Sequence, residues 1–211
     1  MPKIRPFEEH TTQYESWFTR HELTYQSELA AVQEMIPDSG KGIEIGIGSG
    51  RFAAPFNIRY GIEPSYRMIR LAARRGVCVA RGMAEYLPIL DGQFDFALMV
   101  TTICFLDDVG QALREAYRIL KPGGLIIIGF VDKNSRLGKL YEKNRLNNVF
   151  YRDATFFSVD EVINHLNQAG FGDFVMKQTV FQSLDQMVAV NPVEPGYGKG
   201  SFVVIKAKKR S

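Results

Sequence analysis

At 211 residues, with 45% hydrophobic and 23% charged residues, the chain has the length of one domain and the composition of a globular protein. A formal net charge of +3, part of it in Lys206-Ala-Lys-Lys-Arg210 read as a solvating tail, falls short of the dense basic face that nucleic-acid binding uses. No run reaches membrane-spanning length and the N-terminus lacks the apolar core of a signal peptide, so the expected location is cytoplasmic.

Residues 7–36 read as one helical stretch. Phe7, Tyr14, Trp17 and Phe18 mark an aromatic face, Leu29, Val32, Met35 and Ile36 continue it, and Pro37-Asp-Ser-Gly40 stops it. Lying before the first strand, it is expected as a lid over the sheet edge or packed beside it. Next comes Lys41-Gly-Ile-Glu-Ile-Gly-Ile-Gly-Ser-Gly-Arg-Phe52. Ile43, Ile45 and Ile47 favour a strand, and Gly46, Gly48 and Gly50 allow backbone angles closed to other residues and close approach of a ligand. A loop after the first strand of an α/β sheet opens at the carboxyl edge, where such sheets bind ligands. A dinucleotide fingerprint counted from Gly46 would need glycine at position 51, which is Arg51, and no Gly-Lys-Ser/Thr follows for a phosphate loop.

Arg51 to Phe56 allows only a short helix, because Pro55 interrupts it. A second strand, Arg59 to Ile62, ends in Glu63-Pro64. Glu63 lies 17 positions past Gly46, near the spacing of about 20 at which an acid accepts from ribose hydroxyls. A helix over Ser65 to Arg75 has an apolar face and a basic, solvated one, and ends at Gly76. Strand three is Val77 to Ala80. Strand four, Phe94 to Val100, is apolar enough for the centre of a parallel sheet and ends in Thr101-Thr102. Asp107 and Asp108 cap a helix whose apolar stripe runs from Val109 to Leu120. Lys121-Pro-Gly-Gly124 ends it, and Leu125 to Val131 is strand five. Lys139 to Asn148, with Tyr141 and Arg145, reads as a helix, and Ser158-Val-Asp-Glu161 is a capping box opening another. Phe174 to Phe181 and Gly200 to Ala207 form a terminal pair of strands with a short connection. Cys78 and Cys104 read as core thiols, and the three histidines have no metal-ligand spacing, so no metal is expected.

The Glu-x-Gly-x-Gly-x-Gly run from Glu44 to Gly50 resembles motif I of the class I S-adenosylmethionine (SAM) dependent methyltransferases. Gly82-Met-Ala-Glu-Tyr-Leu-Pro88 and Arg118-Ile-Leu-Lys-Pro-Gly-Gly124 resemble segments of the methyltransferase type 11 family within that class. Tyr14-Glu-Ser-Trp17-Phe18 resembles the aromatic N-terminal segment that closes over SAM in many small-molecule methyltransferases. The resemblance spans about residues 40–207. It implies an α/β, Rossmann-like fold: a seven-stranded, mostly parallel sheet with a C-terminal antiparallel hairpin and helices on both faces. It implies a single domain, with 1–40 as lid, 41–131 as SAM-binding core, 132–170 as cover of the acceptor site and 171–211 as terminal strand pair.

For the site, the resemblance implies that SAM lies against Glu44, Gly46, Gly48, Gly50, Glu63, Pro64, Met83, Ala84, Glu85 and Thr101, leaving S-adenosylhomocysteine as product. Glu44 serves the ammonium side, Glu63 the ribose, and Ala84 with its neighbours the adenine. Family members often carry Asp where this chain has Met83, so the adenine amino group needs another acceptor, such as Glu85. Tyr14, Trp17, Thr102, Tyr141 and Arg145 are the expected lid and acceptor-site residues. Many methyltransferases carry Asp, Asn or His where Thr101 and Thr102 stand, and threonines are poor bases. That favours a small acceptor, an amine, thiol or other heteroatom compound, that needs little help with its proton. Two other readings stay open: a non-catalytic SAM- or partner-binding protein of this fold, and a dinucleotide-dependent oxidoreductase, against which Arg51 and the terminal hairpin argue.

Overall fold

The computed structural model describes residues 4–210; residues 1–3 of the expected lid and residue 211 of the expected terminal pair lie outside the described residues. Eight strands form one sheet: β1 (Gly42–Ile45), β2 (Tyr60–Glu63), β3 (Cys78–Arg81), β4 (Phe94–Val100), β5 (Leu120–Val131), β6 (Phe171–Thr179), β7 (Glu194–Pro195) and β8 (Phe202–Lys209). Their order is β3-β2-β1-β4-β5-β8-β6-β7. β1 to β5 are mutually parallel, whereas β8 runs antiparallel between β5 and β6. The strand count is eight, not the expected seven. The additional strand is the two-residue β7, which pairs Lys177 with Pro195 and Gln178 with Glu194 at the sheet edge. Pro195 is tolerated there because an edge strand can do without one N–H. The connection from Val180 to Ser201 is longer than expected and holds a 3-10 turn as well as β7.

Alternation along the central strands sorts the core into two faces. Ala97, Met99, Ile126, Ile128, Val203 and Ile205 pack with α5 (Val109–Ile119) and α7 (Val159–Gln168). Phe96, Leu98, Val100, Ile127 and Val204 point the other way, towards Val32 and Met35 of the N-terminal helices. Of the two acids marked before α5, Asp108 is the cap and accepts from Gln111 N, and Ser158 and Glu161 complete the capping box as marked. Ser65 accepts from Met68 N at the start of α4 (Tyr66–Arg74).

Several expectations need correction. Residues 7–36 are not one helix but α1 (Arg5–Glu9), α2 (Thr11–Arg20) and α3 (Glu22–Gln33), broken where His10 and His21 leave helical angles. The breaks let one amphipathic stretch turn over the sheet edge. Residues 51–57 form turns, not a helix, and Asn57 takes a positive φ of 55°. Lys121-Pro-Gly-Gly124 does not merely end a helix. It is a bulge inside β5, where Phe94 pairs with Leu120 and Phe96 with Leu125. The polar stretch after β5 is helical earlier than expected, as α6 (Arg136–Lys143), followed by a 3-10 turn at Arg145–Asn147. Cys78 is exposed and Cys104 half-buried, so neither is a core thiol. Lys206 to Lys209 end β8 instead of forming a solvating tail, and Lys209 Nζ donates to the carbonyls of Tyr117 and Leu120, each at 2.7 Å.

Candidate active site

The parallel strands β1, β2 and β4 deliver their carboxyl ends to one edge, and the glycine loop bends across it. Gly46 takes φ 70°, and a Cβ there would run into the Thr102 side chain. Gly48 takes φ 54°, and a Cβ there would meet the Tyr14 side chain, its hydroxyl oxygen at 3.0 Å. Gly50 packs instead on Ala72 of α4, inside the fold. At the end of β2, the Glu63 carboxylate accepts from Gly48 N through Oε2 and from Ser65 N through Oε1, each at 2.9 Å. Burial pushes Glu63 up to about 7 against those two bonds. Each oxygen keeps a second lone pair, so the carboxylate is positioned with acceptor capacity to spare.

A cavity of about 100 Å³ opens along this edge. Of the sequence-derived residues, Tyr14, Gly46, Gly48, Glu63, Pro64, Met83, Ala84, Glu85, Thr101 and Thr102 all line it. Ile4, Phe7 and Tyr14 line it from the N-terminal segment. A second cavity of about 310 Å³ adjoins it and shares Phe7, Tyr14, Thr101 and Phe105 with it. Trp17 and Tyr141 line the second cavity; Arg145 is exposed and lines neither. Aromatic rings form the partition and its surroundings: Phe7 meets Phe105 at 5.0 Å and Phe150 at 5.5 Å, and Tyr141 meets Tyr151 at 4.7 Å between centroids.

Thr101 stands where the cavities meet, at φ 52°. A β-branched residue in the left-handed region is a genuine outlier, of the kind that concentrates at functional sites. Its N–H donates to Gly129 O at 2.7 Å, which holds the turn. The Thr102 hydroxyl donates to Gly46 O at 3.2 Å and Val100 O at 3.1 Å, tying the glycine loop to the end of β4.

The remaining acids are deployed differently. Glu44 is 1% exposed and lines neither cavity; burial holds it well above the usual carboxylate range, and Oε2 has no partner among the described residues. Glu85 lines the first cavity, and its Oε1 accepts from Asp107 N at 3.0 Å at the approach to α5. Glu28, absent from the sequence-derived site, lines the second cavity. Glu15, also absent from it, pairs with Arg51 at 2.7 Å and Arg75 at 2.5 Å. Burial alone would raise Glu15, but Ser49 and these guanidinium partners hold it below its ordinary value. Arg75 is therefore not part of a solvated face: it fastens α2 to the glycine loop and also donates to Ser49 O at 2.7 Å. Glu28 did carry a sequence signal, since it shares the i, i+3, i+4, i+7 stripe with buried Ala31, Val32 and Met35. Phe105 and the Glu15 cluster had none, because their partners are distant in the chain.

The methyltransferase-domain family matches residues 43–128. A SAM-dependent methyltransferase of Thermotoga maritima, described as a possible histamine N-methyltransferase, is 50% identical. It superposes with a TM-score of 0.96, over 99% of this chain and 100% of that one. An uncharacterised protein of Methanocaldococcus jannaschii is 43% identical over 203 residues, 96% of this chain and 98% of its own length. An uncharacterised protein of Mycobacterium tuberculosis is 33% identical over 188 residues, 86% of this chain and 65% of that longer protein.

Proposed function

This chain belongs to the class I SAM-dependent methyltransferases, and we propose that it moves a methyl group to a nitrogen, sulfur or oxygen of a small-molecule acceptor by in-line displacement. The observation that carries the reading is the pair of cavities meeting at Thr101, one lined by the glycine loop and Glu63, the other by aromatic side chains. The first cavity fits the adenosyl donor in chemistry. Glu63 offers a buried carboxylate to a diol, Gly48 leaves the space a Cβ would fill, and Met83 and Ala84 offer an apolar wall to adenine. Glu44 serves the ammonium side only through the loop or a bridging water, since it lies outside the cavity lining. When bound, SAM supplies a methyl group on a sulfonium, whose sulfur departs with the bonding pair as a neutral thioether.

The protein's own contribution is alignment and exclusion of water. Orientation of reactants can be worth effective molarities on the order of 10⁵ M or more. Phe7, Tyr14 and Phe105 line both cavities and exclude water from their junction. Burial drives the Tyr14 hydroxyl far above its ordinary range, so it stays protonated and acts as a donor. The Thr102 hydroxyl already donates to two carbonyls. Neither is a base, which favours an acceptor whose lone pair is free at working pH. The description of the Thermotoga relative makes histamine and similar amines the first acceptors to try. Among the described residues no helix is long and apolar enough to cross a membrane, and our working location is cytoplasmic.

Calorimetric titration with SAM, S-adenosylhomocysteine and NAD(H) tests the donor assignment. Micromolar binding of both adenosyl ligands and none of NAD(H) is expected; binding of NAD(H) alone overturns it. Transfer of labelled methyl from SAM across an acceptor panel then tests turnover.

A further inference from the structure

Glu28 projects from α3 into the larger cavity although the residue is only 4% exposed. No described residue gives its carboxylate a hydrogen bond, and burial alone pushes it up to about 8. Buried acids are ordinarily paired or multiply hydrogen-bonded, because an unpartnered one costs the full desolvation of the group. Among the described residues Glu28 is the only acid lining this cavity, whose walls include Trp17, Phe52, Tyr141, Phe150 and Tyr151. Two basic residues also line it. Arg20 is exposed to solvent, and burial together with Arg20 pushes His21 below its ordinary value, towards the neutral form. The Tyr141 and Tyr151 hydroxyls are raised by burial and stay neutral. An acid without a partner, among aromatic faces that attract cations, is a receptor for an ammonium group.

We propose that the larger cavity takes a small organic amine on an aromatic or apolar body, and that Glu28 holds its ammonium group. Glu28 is not among the residues the two cavities share. The ammonium it holds therefore lies away from Thr101, and a second nucleophilic atom of the same molecule lies at the junction. The acceptor is thus bifunctional, a cation at one end and a ring nitrogen or another atom whose lone pair is free at working pH at the other. This deepens the methyltransferase reading and rests on it for the identity of the second end as the methylated one.

The test uses matched pairs differing only in the amine: 4-(2-aminoethyl)pyridine against 4-(2-hydroxyethyl)pyridine, and tyramine against tyrosol. Each is titrated calorimetrically into the protein saturated with S-adenosylhomocysteine, and again without it. The amines are expected to bind about tenfold or more tighter than the alcohols. Glu28→Gln abolishes that preference while leaving alcohol and S-adenosylhomocysteine affinities within about twofold, and Glu28→Asp retains it. Equal binding of amines and alcohols, or no binding of either, overturns the proposal. So does a Glu28→Gln variant, folded by its melting curve, that weakens both members of a pair alike, since that is a packing effect. If S-adenosylhomocysteine fails to bind but the Glu28-dependent amine preference persists, the ammonium site stands and the methyltransferase reading falls.

Discussion

The smaller cavity takes its lining largely from strand ends and the turns that follow them, at Gly46, Gly48, Glu63, Pro64, Gly82 to Glu85 and Thr101. The larger one is lined mostly by side chains of α2, α3, α6 and residues 148–151, elements far apart in the chain. A site built on main chain tolerates little change, because a Cβ in the wrong place or a lost backbone-bonded acid disturbs it directly. A site built from side chains on short helices can exchange residues and change its ligand while the sheet stays as it is. On the proposed reading, donor use is written into the part of the fold that holds the sheet edge together, and acceptor choice into the part that covers it.

That contrast can be broken at its strong end with Gly48→Val. A β-branched residue at φ 54° costs about 1–3 kcal/mol of stability, and its methyl groups enter the donor cavity. The variant is expected to fold and to show no SAM binding by calorimetry; retained binding would mean that the loop does not touch the donor.

A pH series on Glu28→Gln probes the other cavity. Glu28 has an ordinary value of 4.5 and stands at about 8 in the fold, so between those limits the native chain holds a proton that the unfolded chain has released. Stability therefore falls as pH rises from about 4.5 to 8. Glu63, at about 7, adds the same sign over a narrower window, and His21, held below its ordinary value, adds the opposite one. The difference between wild type and variant isolates Glu28. Glu28→Gln should raise the unfolding free energy at pH 8, measured by denaturant titration, by an amount on the order of a few kcal/mol, and leave it unchanged at pH 4. An equal effect at both pH values would remove the assignment of a strained, unpartnered acid.

Glu63→Ala should weaken SAM binding by about 1–3 kcal/mol through lost charge-assisted hydrogen bonds. Unchanged affinity would remove the ribose assignment. The smallest effect is expected from Arg145→Ala. Its side chain is exposed and lines neither cavity, so stability should move by less than about 0.5 kcal/mol and acceptor KM should not change. A raised KM would bring the 3-10 turn at 145–147 back into the acceptor site.

The uneven legibility of the two cavities follows from the same contrast. Glu44 to Gly50, Glu63 and Met83 to Glu85 are local signals, each complete within a few residues, and β1 to β5 appear close to where alternation and turn residues mark them. The bulge at Lys121 to Gly124 and the edge strand β7 were missed because both exist only through pairing with Phe94, Phe96, Lys177 and Gln178. Cys78 was misjudged because an apolar run says nothing about whether its strand lies at the sheet edge, which is where β3 lies.

By itself the sequence determined the family, the parallel half of the sheet, the helix caps at Asp108 and Ser158, and residues such as Gly46, Gly48 and Glu63 along the smaller cavity. All of these depend on backbone conformation and hydrogen bonding over short separations. Only the tertiary structure decided that His10 and His21 break the N-terminal helix and that Glu15 is clamped by Arg51 and Arg75. It alone set Thr101 in a left-handed turn between two cavities, and Glu28 unpartnered inside the larger one. Those outcomes depend on which distant surfaces meet, and burial, not residue type, moved an ordinary glutamate far from the usual carboxylate range.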